Sequence, residues 1–303
     1  MDGVPTPLEP APPRLAPDRE VYLKREDIHE LGAFKWRGAL PALERYKADG
    51  AEGVVTASTG NHGAATVWAA AQVGLLSTVY APQAASQSKL ALIARLGADV
   101  LVTGNDLDEA KEQGVAYAHG VGMPFFEDGG DAAQLDGYAT IGEEIVDQLE
   151  EPPAAVIVPV GNGALLAGIG RALAATAPNA RRIGVVAKEA PVMARSWEAR
   201  HPVVSDRCDT IADGLAVRVA IPAAVEWLND AADVMLEVSE RQIADAVAAY
   251  DAAGIRAEGA AAAALAALAQ VEDDGPIVLI VTGRNIDDEL LDRCRSAPDS
   301  FPA

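Results

Sequence analysis

The chain is poor in cysteine, histidine and basic residues. It has two cysteines, Cys208 and Cys294, and four histidines among 303 residues. Two cysteines provide neither a disulfide framework nor a metal-binding spacing. Lys and Arg total 24 against 45 Asp and Glu, so the formal net charge is −21. This balance argues against binding to nucleic acid or to an anionic membrane, because both need a cationic protein surface.

Long apolar runs and a secretory signal are also missing. The longest apolar stretch, residues 258–270, is too short and too rich in alanine to span a bilayer. Residues 1–17 are rich in proline and contain no apolar signal segment, so we expect a cytoplasmic protein. Residues 1–18 should form an extended lead-in. Half of the residues are hydrophobic, which is enough for a large core.

Short β-branched runs alternate with longer alanine-rich stretches. The spacing predicts strands at 53–56, 77–81, 99–103, 155–160, 182–187, 234–238 and 277–281. It predicts helices at 38–48, 63–73, 88–96, 107–119, 140–149, 165–177, 239–253, 258–269 and 286–295. This alternation indicates an α/β fold with largely parallel sheets, and continuous apolar strands should be covered on both faces.

One lysine stands in an unusual setting. Lys35 lies in a glycine-containing turn between Phe34 and Trp36, in a chain with six lysines and 18 arginines. Desolvation there would favour the neutral amine that a Schiff base or a general base requires. The alternative is a surface lysine whose apolar stem covers the two aromatic rings.

Two further segments place glycines and small polar residues between a strand and a helix. Residues 54–63 read VVTASTGNHG, and residues 158–168 read VPVGNGALLAG. Such turns direct backbone N–H groups toward an anion at a helix N-terminus. Ordinary helix capping explains the first segment equally well, and tight strand–helix packing explains the second. The second also approaches a dinucleotide fingerprint, but Leu166 replaces its third glycine.

A fourth segment ends the last apolar strand. Residues 277–281 lead into Thr282, which begins the turn TGRN. A hydroxyl at this place can hydrogen-bond a heteroaromatic nitrogen. It can equally cap the helix predicted at 286–295, and the residues alone do not separate the two interpretations.

Six motifs in this order resemble the serine/threonine dehydratase branch, which includes serine racemases, of the fold type II (β-family) pyridoxal-phosphate enzymes. The resemblance extends from Val21 to about Asp287. It depends on KRED at 24–27 with FK at 34–35 and RGA at 37–39, on STGNHG at 58–63, on the glycine loop 161–165, on TIADG at 210–214, on EGA at 258–260, and on TG at 282–283 with Asn285.

The resemblance implies a two-domain α/β fold similar to that of the tryptophan synthase β subunit. Helices would flank parallel-rich sheets, with the cofactor in the interdomain cleft. Residues 1–36 and 138–303 would form the large cofactor-binding domain, and residues 37–137 a small domain inserted in it. The chain ends at residue 303, so we expect no regulatory C-terminal domain. Homodimers are usual in such enzymes, and we expect one here.

The resemblance also implies residue roles. Lys35 would hold pyridoxal 5'-phosphate as a Schiff base, with Phe34 packed nearby. Asn61 would bind the 3-oxygen of the cofactor, and Thr282 its pyridine nitrogen. The cofactor phosphate would be held by the backbone of Gly161, Asn162, Gly163, Ala164 and Leu165. The substrate carboxylate would be surrounded by Ser58, Thr59, Gly60, Asn61 and His62.

These roles predict a lyase that removes the β-hydroxyl of L-threonine, L-serine or a similar amino acid, giving a 2-oxo acid and ammonia. The Lys35 amine would take the Cα proton. Thr59 is the second catalytic candidate, because a hydroxyl there could protonate the opposite face and make the enzyme a racemase. An eliminase for another β-substituted amino acid, a nicotinamide-dependent oxidoreductase using loop 161–168, and a non-catalytic binding protein are the remaining alternatives.

Several positions depart from the family pattern. Ala33 replaces a usual Ser, Tyr138 a usual Gln, and Arg284 a usual Gly that could here meet an anionic substrate group. Thr282 replaces a usual Ser, while Asn162 and Ala164 interrupt the glycine loop. The divalent-cation site of some relatives would begin near Glu189, but its later carboxylate would fall near Arg195. We therefore expect no metal, with Lys188 or Arg195 supplying positive charge instead.

Overall fold

The computed structural model describes residues 4–85 and 87–303, which divide into two compact units. Unit 1 contains the chain up to Phe34 and Tyr138–Ala303, and unit 2 contains Lys35–Gly137. The first three residues of the proline-rich lead-in lie outside the described residues. Part of the lead-in forms a strand of unit 1, which is extended as expected, whereas residues 13–19 form turns and bends.

Unit 1 is built on a six-stranded sheet. Its strands in chain order are β1 (Leu8–Pro10), β2 (Val21–Arg25), β6 (Ala155–Pro159), β7 (Arg181–Ala187), β8 (Val234–Val238) and β9 (Ile277–Val281). They are arranged in the order β1-β2-β9-β6-β7-β8. The pair β1–β2 is antiparallel, and the other four pairs are parallel. The central strands β6 and β9 are buried along their whole length, as their continuous apolar sequences predict.

Helices accompany this sheet. They are α5 (Ala133–Gln148, whose first residues belong to unit 2), α6 (Ala164–Thr176), α7 (Val192–Ala199), α8 (Pro222–Ala231), α9 (Glu240–Ala252), α10 (Gly259–Ala267) and α11 (Asp288–Ser296). Helix α9 starts with a capping box in which Ser239 and Gln242 each accept a hydrogen bond from the other's backbone N–H. Six of the seven alanines of α10 are buried, so small side chains let this helix approach the sheet closely.

Unit 2 contains a three-stranded parallel sheet in the order β3-β4-β5. Its elements are β3 (Gly53–Ala57), β4 (Leu76–Ala81), β5 (Asp99–Val102), α1 (Trp36–Ala48), α2 (Asn61–Val73), α3 (Gln87–Arg95) and α4 (Leu107–Val121). Helix α2 ends at Gly74, which adopts a left-handed conformation that favours glycine. Both units confirm the α/β fold with parallel-rich sheets and helices that the sequence predicts.

The predictions miss strand β2 because two of its five residues are charged. Lys24 is fully buried, and its ammonium donates to the backbone carbonyl of Thr6, to Glu144 and to Gln148 at 2.7, 2.6 and 3.0 Å. These acceptors compensate the desolvation of the charge. Helices α7 and α8 are also missed, and α5 starts seven residues before the predicted 140.

Among the described residues, no helix combines the length and apolarity needed to cross a membrane.

Candidate functional site

In unit 1, a glycine loop joins β6 to α6. Gly163 has a φ of +97°, a backbone conformation that residues with a Cβ rarely adopt. The carbonyl oxygen of Gly214 lies directly against Gly161, where a side chain would collide with it. The loop is therefore specified for glycine at two positions. It opens onto the N-terminus of a 13-residue helix, whose first N–H groups have no acceptor within the helix.

The loop also differs from what the sequence suggests. The Ala164 N–H donates to Oδ1 of Asn162 at 3.0 Å, so this donor is already engaged by a side chain. The departure from an all-glycine loop thus has a structural consequence, because Asn162 holds the start of α6. The helix terminus remains a site that favours an anion such as phosphate.

Thr282 follows β9 in the same unit. Its side chain is buried, and its Oγ1 has no hydrogen-bond partner among the described residues. Its carbonyl oxygen accepts the Phe34 N–H at 3.0 Å, and Ala33 forms a bridge with Gly283. The segment that immediately precedes Lys35 in the chain is therefore anchored to the end of β9. The ring of Phe34 also packs on Tyr138, with ring centroids 5.3 Å apart.

In unit 2, strand β3 leads into the turn 58–60 and helix α2. The Gly60 N–H donates to Oγ of Ser58 at 3.2 Å, and the Ser58 N–H donates to the Tyr80 carbonyl at 3.0 Å. Gly60 is the N-cap of α2, and no side chain caps this helix. The N-cap residue is therefore none of Ser58, Thr59 and Asn61, although the Ser58 hydroxyl accepts the N–H of the N-cap residue itself. The turn leaves a polar helix N-terminus, which is suited to a carboxylate.

Lys35 also lies in unit 2, at the N-terminus of α1. Its ammonium donates to the carboxylate of Asp128. Only 14% of the lysine side chain is exposed, so the alternative of an open surface lysine does not describe it. Asp128 is a site residue that the sequence analysis misses, because no motif connects it with Lys35. The only signal is the acidic run before the glycines at 129–130.

His62 is buried beside this ion pair. Its Nδ1 lies 3.6 Å from Oδ1 of Asp128, and its Nε2 lies 3.0 Å from Oγ1 of Thr56 and 3.2 Å from the Phe126 carbonyl oxygen. Burial lowers the pKa of His62 below its usual value, although the Asp128 charge opposes this shift. The imidazole is therefore neutral near pH 7.

Two positive groups singled out in the sequence have other partners. The guanidinium of Arg284 donates to the backbone carbonyls of Asp27 and His29 at 2.6 and 3.3 Å, which connects the last turn of the site to the segment after β2. Lys188 lies within 3.3 Å of the Ala303 carbonyl. Within the described part of the chain, no group of three or more His, Cys, Asp and Glu side chains is arranged to hold a metal ion.

The residues present fit pyridoxal phosphate. Lys35 supplies an amine of the kind that bonds to an aldehyde, and a glycine loop at a helix N-terminus suits a phosphate. The buried Thr282 hydroxyl has no partner in the described part of the chain, which suits a ring nitrogen, because a buried polar group normally has a hydrogen-bond partner. A nicotinamide cofactor would leave Lys35 and Thr282 unexplained.

Comparisons with known proteins support pyridoxal phosphate as the cofactor. The family described as pyridoxal-phosphate dependent enzymes matches residues 1–283. An L-threonine ammonia-lyase of Thermotoga maritima is 34% identical over 278 residues, which cover 90% of this chain and 69% of that protein. The processed form of threonine deaminase isoform 2 from Solanum lycopersicum is similar with a TM-score of 0.89 at 29% identity, covering 96% of this chain and 87% of that one.

A serine racemase of maize is also similar, with a TM-score of 0.87 at 26% identity over 95% of this chain and 90% of that one. The family match covers far more than half of the chain and includes every residue assigned to the cofactor in the sequence analysis. The chain belongs to the pyridoxal-phosphate dependent enzymes.

Proposed function

We propose that this enzyme is an ammonia-lyase that removes the β-hydroxyl of L-threonine, L-serine or a similar amino acid. The observation that carries the proposal is Thr282, whose buried hydroxyl at the end of β9 has no hydrogen-bond partner within residues 4–85 and 87–303. A neutral hydroxyl does not force a ring nitrogen to stay protonated, as a carboxylate would. Prompt loss of a β-substituent is then favoured over transamination. The similarity to threonine ammonia-lyases supports the choice of substrate.

The proposed roles follow from the two units taken separately. In unit 1, the N–H groups of Gly161, Asn162, Gly163, Ala164 and Leu165 bind the phosphate, with the Ala164 N–H shared with Asn162. In unit 2, Asn61 binds the 3-oxygen, and the turn Ser58, Thr59, Gly60, Asn61 and His62 receives the substrate carboxylate. His62 contributes its backbone there, because its ring is turned toward Thr56 and Asp128.

Bound pyridoxal phosphate supplies a conjugated ring that takes up the electron pair left at Cα when the proton is removed. Lys35 holds the cofactor at rest, and its freed amine accepts the Cα proton at Nζ. The helix N-terminus beyond Thr59 and Gly60 keeps the substrate carboxylate oriented, so that the Cα–H bond faces the lysine. The C–O bond at Cβ then breaks with its electron pair going to the oxygen, and the proton that Lys35 took from Cα balances the departing hydroxide as water. Hydrolysis of the product gives the 2-oxo acid and ammonia.

An amino-acid racemase is the second candidate. Thr59 keeps a hydroxyl in the turn before α2, where a group able to return a proton from the opposite face would stand. The similarity to a serine racemase supports this alternative. An eliminase acting on another β-substituted amino acid would use the same residues.

Two measurements test the proposal. Reduction with borohydride in the presence of pyridoxal phosphate should label Lys35, as peptide mass spectrometry would reveal. Lys35→Ala should remove the label, the visible absorbance and at least 99% of the activity. Lys47→Ala is the matched control, since Lys47 is exposed and donates to the Gly74 carbonyl. A colourless wild-type protein without a trapped adduct would contradict the proposal.

The substrate is identified by assaying both enantiomers of serine, threonine, 3-hydroxyaspartate and β-aryl serines. Release of a 2-oxo acid from threonine or serine is the expected result. Chiral chromatography of the remaining amino acid separates elimination from racemisation. Inversion of the configuration at Cα without release of a 2-oxo acid would contradict the lyase proposal and support the racemase.

We further propose the assembly and the domain roles that the family suggests. Residues 1–36 and 138–303 would form the cofactor-binding domain and 37–137 the small domain, and the division into units at 34/35 and 137/138 supports these boundaries. A cytoplasmic homodimer stays a prediction. Sedimentation analysis of the purified enzyme and cell fractionation would test the two parts of it.

A further inference from the structure

The loop that carries Asp128 is held rigidly. Gln134 is fully buried, and its side chain accepts the Gly129 N–H at 3.0 Å while donating to the Glu127 carbonyl at 2.8 Å. The two hydrogen bonds flank Asp128 on both sides. The Phe126 N–H additionally donates to the Val55 carbonyl of β3 at 2.8 Å. The carboxylate that meets Lys35 is thus fixed by unit 2 itself.

The hydrogen bonds around His62 determine which ring nitrogen carries the proton. The Thr56 hydroxyl donates its hydrogen to the Phe126 carbonyl at 2.8 Å, so it offers only lone pairs to the imidazole. The Phe126 carbonyl is also an acceptor. Because both neighbours of Nε2 accept, Nε2 must donate, and a neutral ring then has an unprotonated Nδ1.

This tautomer places a lone pair opposite a carboxylate oxygen. Nδ1 of His62 faces Oδ1 of Asp128 at 3.6 Å, and two acceptors at that separation do not attract each other. A proton on either atom would turn the contact into a favourable one. The pair therefore contains a place for one more proton, directly beside the Lys35 amine.

We propose that Asp128 is a catalytic proton acceptor for Lys35 and that His62 is the residue that positions it. The Nζ–H bond of the ammonium breaks, and an Oδ2–H bond forms on Asp128, so an ion pair becomes a neutral amine and a neutral acid. Protonation at Oδ2 also removes the negative charge from Oδ1, the oxygen that faces the Nδ1 lone pair of His62, so that contact becomes less unfavourable. The neutral amine is the form that bonds to an aldehyde carbon and accepts a Cα proton.

The surroundings are consistent with this transfer. Among the described residues, Asp128, Lys35 and Glu127 are the charged groups with the largest effect on the pKa of His62, and Glu127 is paired with Lys111. Asp128 is 32% exposed, so its proton can be passed on to water. The inference rests on the proposed function only in taking Lys35 as the residue that binds the cofactor.

The test measures how fast the cofactor becomes attached, not turnover. Cofactor-free protein is mixed with pyridoxal phosphate, and borohydride stops the reaction at increasing times at several pH values. Asp128→Asn keeps the size of the side chain but removes the base. Attachment at Lys35 should slow by about 100-fold near pH 7, the usual effect of losing a general base. The rate in this variant should rise steeply with pH, because hydroxide must then remove the proton.

Two further variants complete the experiment. His62→Gln should slow attachment by roughly 10-fold, since its effect is exerted through Asp128. Glu127→Gln removes the same charge one residue away and should attach the cofactor at the wild-type rate. An unchanged or faster rate in Asp128→Asn would overturn the proposal, because the carboxylate would then only restrain the ammonium.

A measurement on the wild-type protein does not depend on the folding of any variant. Nitrogen-15 NMR of the cofactor-free protein should find His62 neutral, with its proton on Nε2. A proton on Nδ1 would overturn the proposal. Failure of the wild-type protein to be labelled at Lys35 at all would instead contradict the proposed function, so the two failures are distinguishable.

Discussion

At the scale of single residues, Thr282 connects structure and reaction most directly. A buried hydroxyl without a partner costs about 1–3 kcal/mol of stability. A cofactor nitrogen that accepts its hydrogen bond would compensate this cost. The same hydroxyl is not an anion near pH 7, so it does not hold a proton on the ring nitrogen as a carboxylate would.

Replacing Thr282 by Asp should therefore change how the reaction partitions. The carboxylate would keep the ring nitrogen protonated, which favours transamination over loss of the β-substituent. We expect the ratio of 2-oxo acid to pyridoxamine phosphate to fall by about 10-fold, equivalent to ~1.4 kcal/mol between the two barriers. Thr282→Ser keeps a hydroxyl and should leave the ratio unchanged. The same ratio in all three proteins would show that residue 282 does not control partitioning.

Residues differ in how well their roles can be predicted from the sequence. Lys35 and Thr282 stand in short sequence motifs, which can be recognised without knowledge of the fold. Asp128 meets Lys35 across 93 residues of chain, and that contact depends on the loop held by Gln134. Arg284 is the opposite case, because the sequence places it near the site while its guanidinium is bound to backbone carbonyls elsewhere.

At the scale of elements, apolar strands are predictable and charged ones are not. Strands β6 and β9 are recognised because every residue is apolar and buried. Strand β2 is concealed by Lys24, whose burial depends on partners from residues 6, 144 and 148. A sequence pattern does not contain such distant acceptors. The same limit applies to α5, whose first turn belongs to unit 2 while the rest of the helix from Tyr138 belongs to unit 1.

Helix α10 offers a test of packing at this scale. Ala263 is fully buried in the core of unit 1. The alanines around it pack so closely that a larger side chain has no space there. Ala263→Leu should lower the free energy of unfolding by about 1–3 kcal/mol, as overpacking does. Urea denaturation measures the change. Ala269→Leu, at an exposed position just beyond the helix, should change it by less than about 0.5 kcal/mol, and an equal loss in both variants would contradict the packing argument.

At the scale of the whole molecule, the net charge of −21 is compatible with a site for anions. The phosphate and the substrate carboxylate are proposed to bind at the N-termini of α6 and α2, where oriented N–H groups supply a local positive field. Fixed backbone dipoles act at short range, whereas the surface charges are screened by salt over about 10 Å. The overall charge therefore bears on solubility, and the local backbone determines which ligands bind.

The stability of the whole molecule should depend on pH through His62. Burial lowers the pKa of this side chain in the folded protein, so between that lowered value and about 6.5 the unfolded chain binds a proton that the folded chain does not. Stability then rises with pH through this window and is lost on acidification. Burial raises the pKa of Glu240, and this shift makes stability fall as pH rises. Glu240 is present in the wild-type protein and in both histidine variants, so it does not affect the difference between them.

We expect the slope of unfolding free energy against pH below about 6.5 to be smaller in His62→Gln, by up to ~1.4 kcal/mol per pH unit for one proton. Urea denaturation at fixed cofactor concentration between about pH 7 and pH 5 would measure it. His201→Gln, at an exposed position, should keep the wild-type slope. If His62→Gln also kept that slope, the folded protein would have to protonate His62 as readily as the unfolded chain does. The lowering of the His62 pKa by burial would then be contradicted, and with it a neutral imidazole beside Asp128 at pH values below about 6.5.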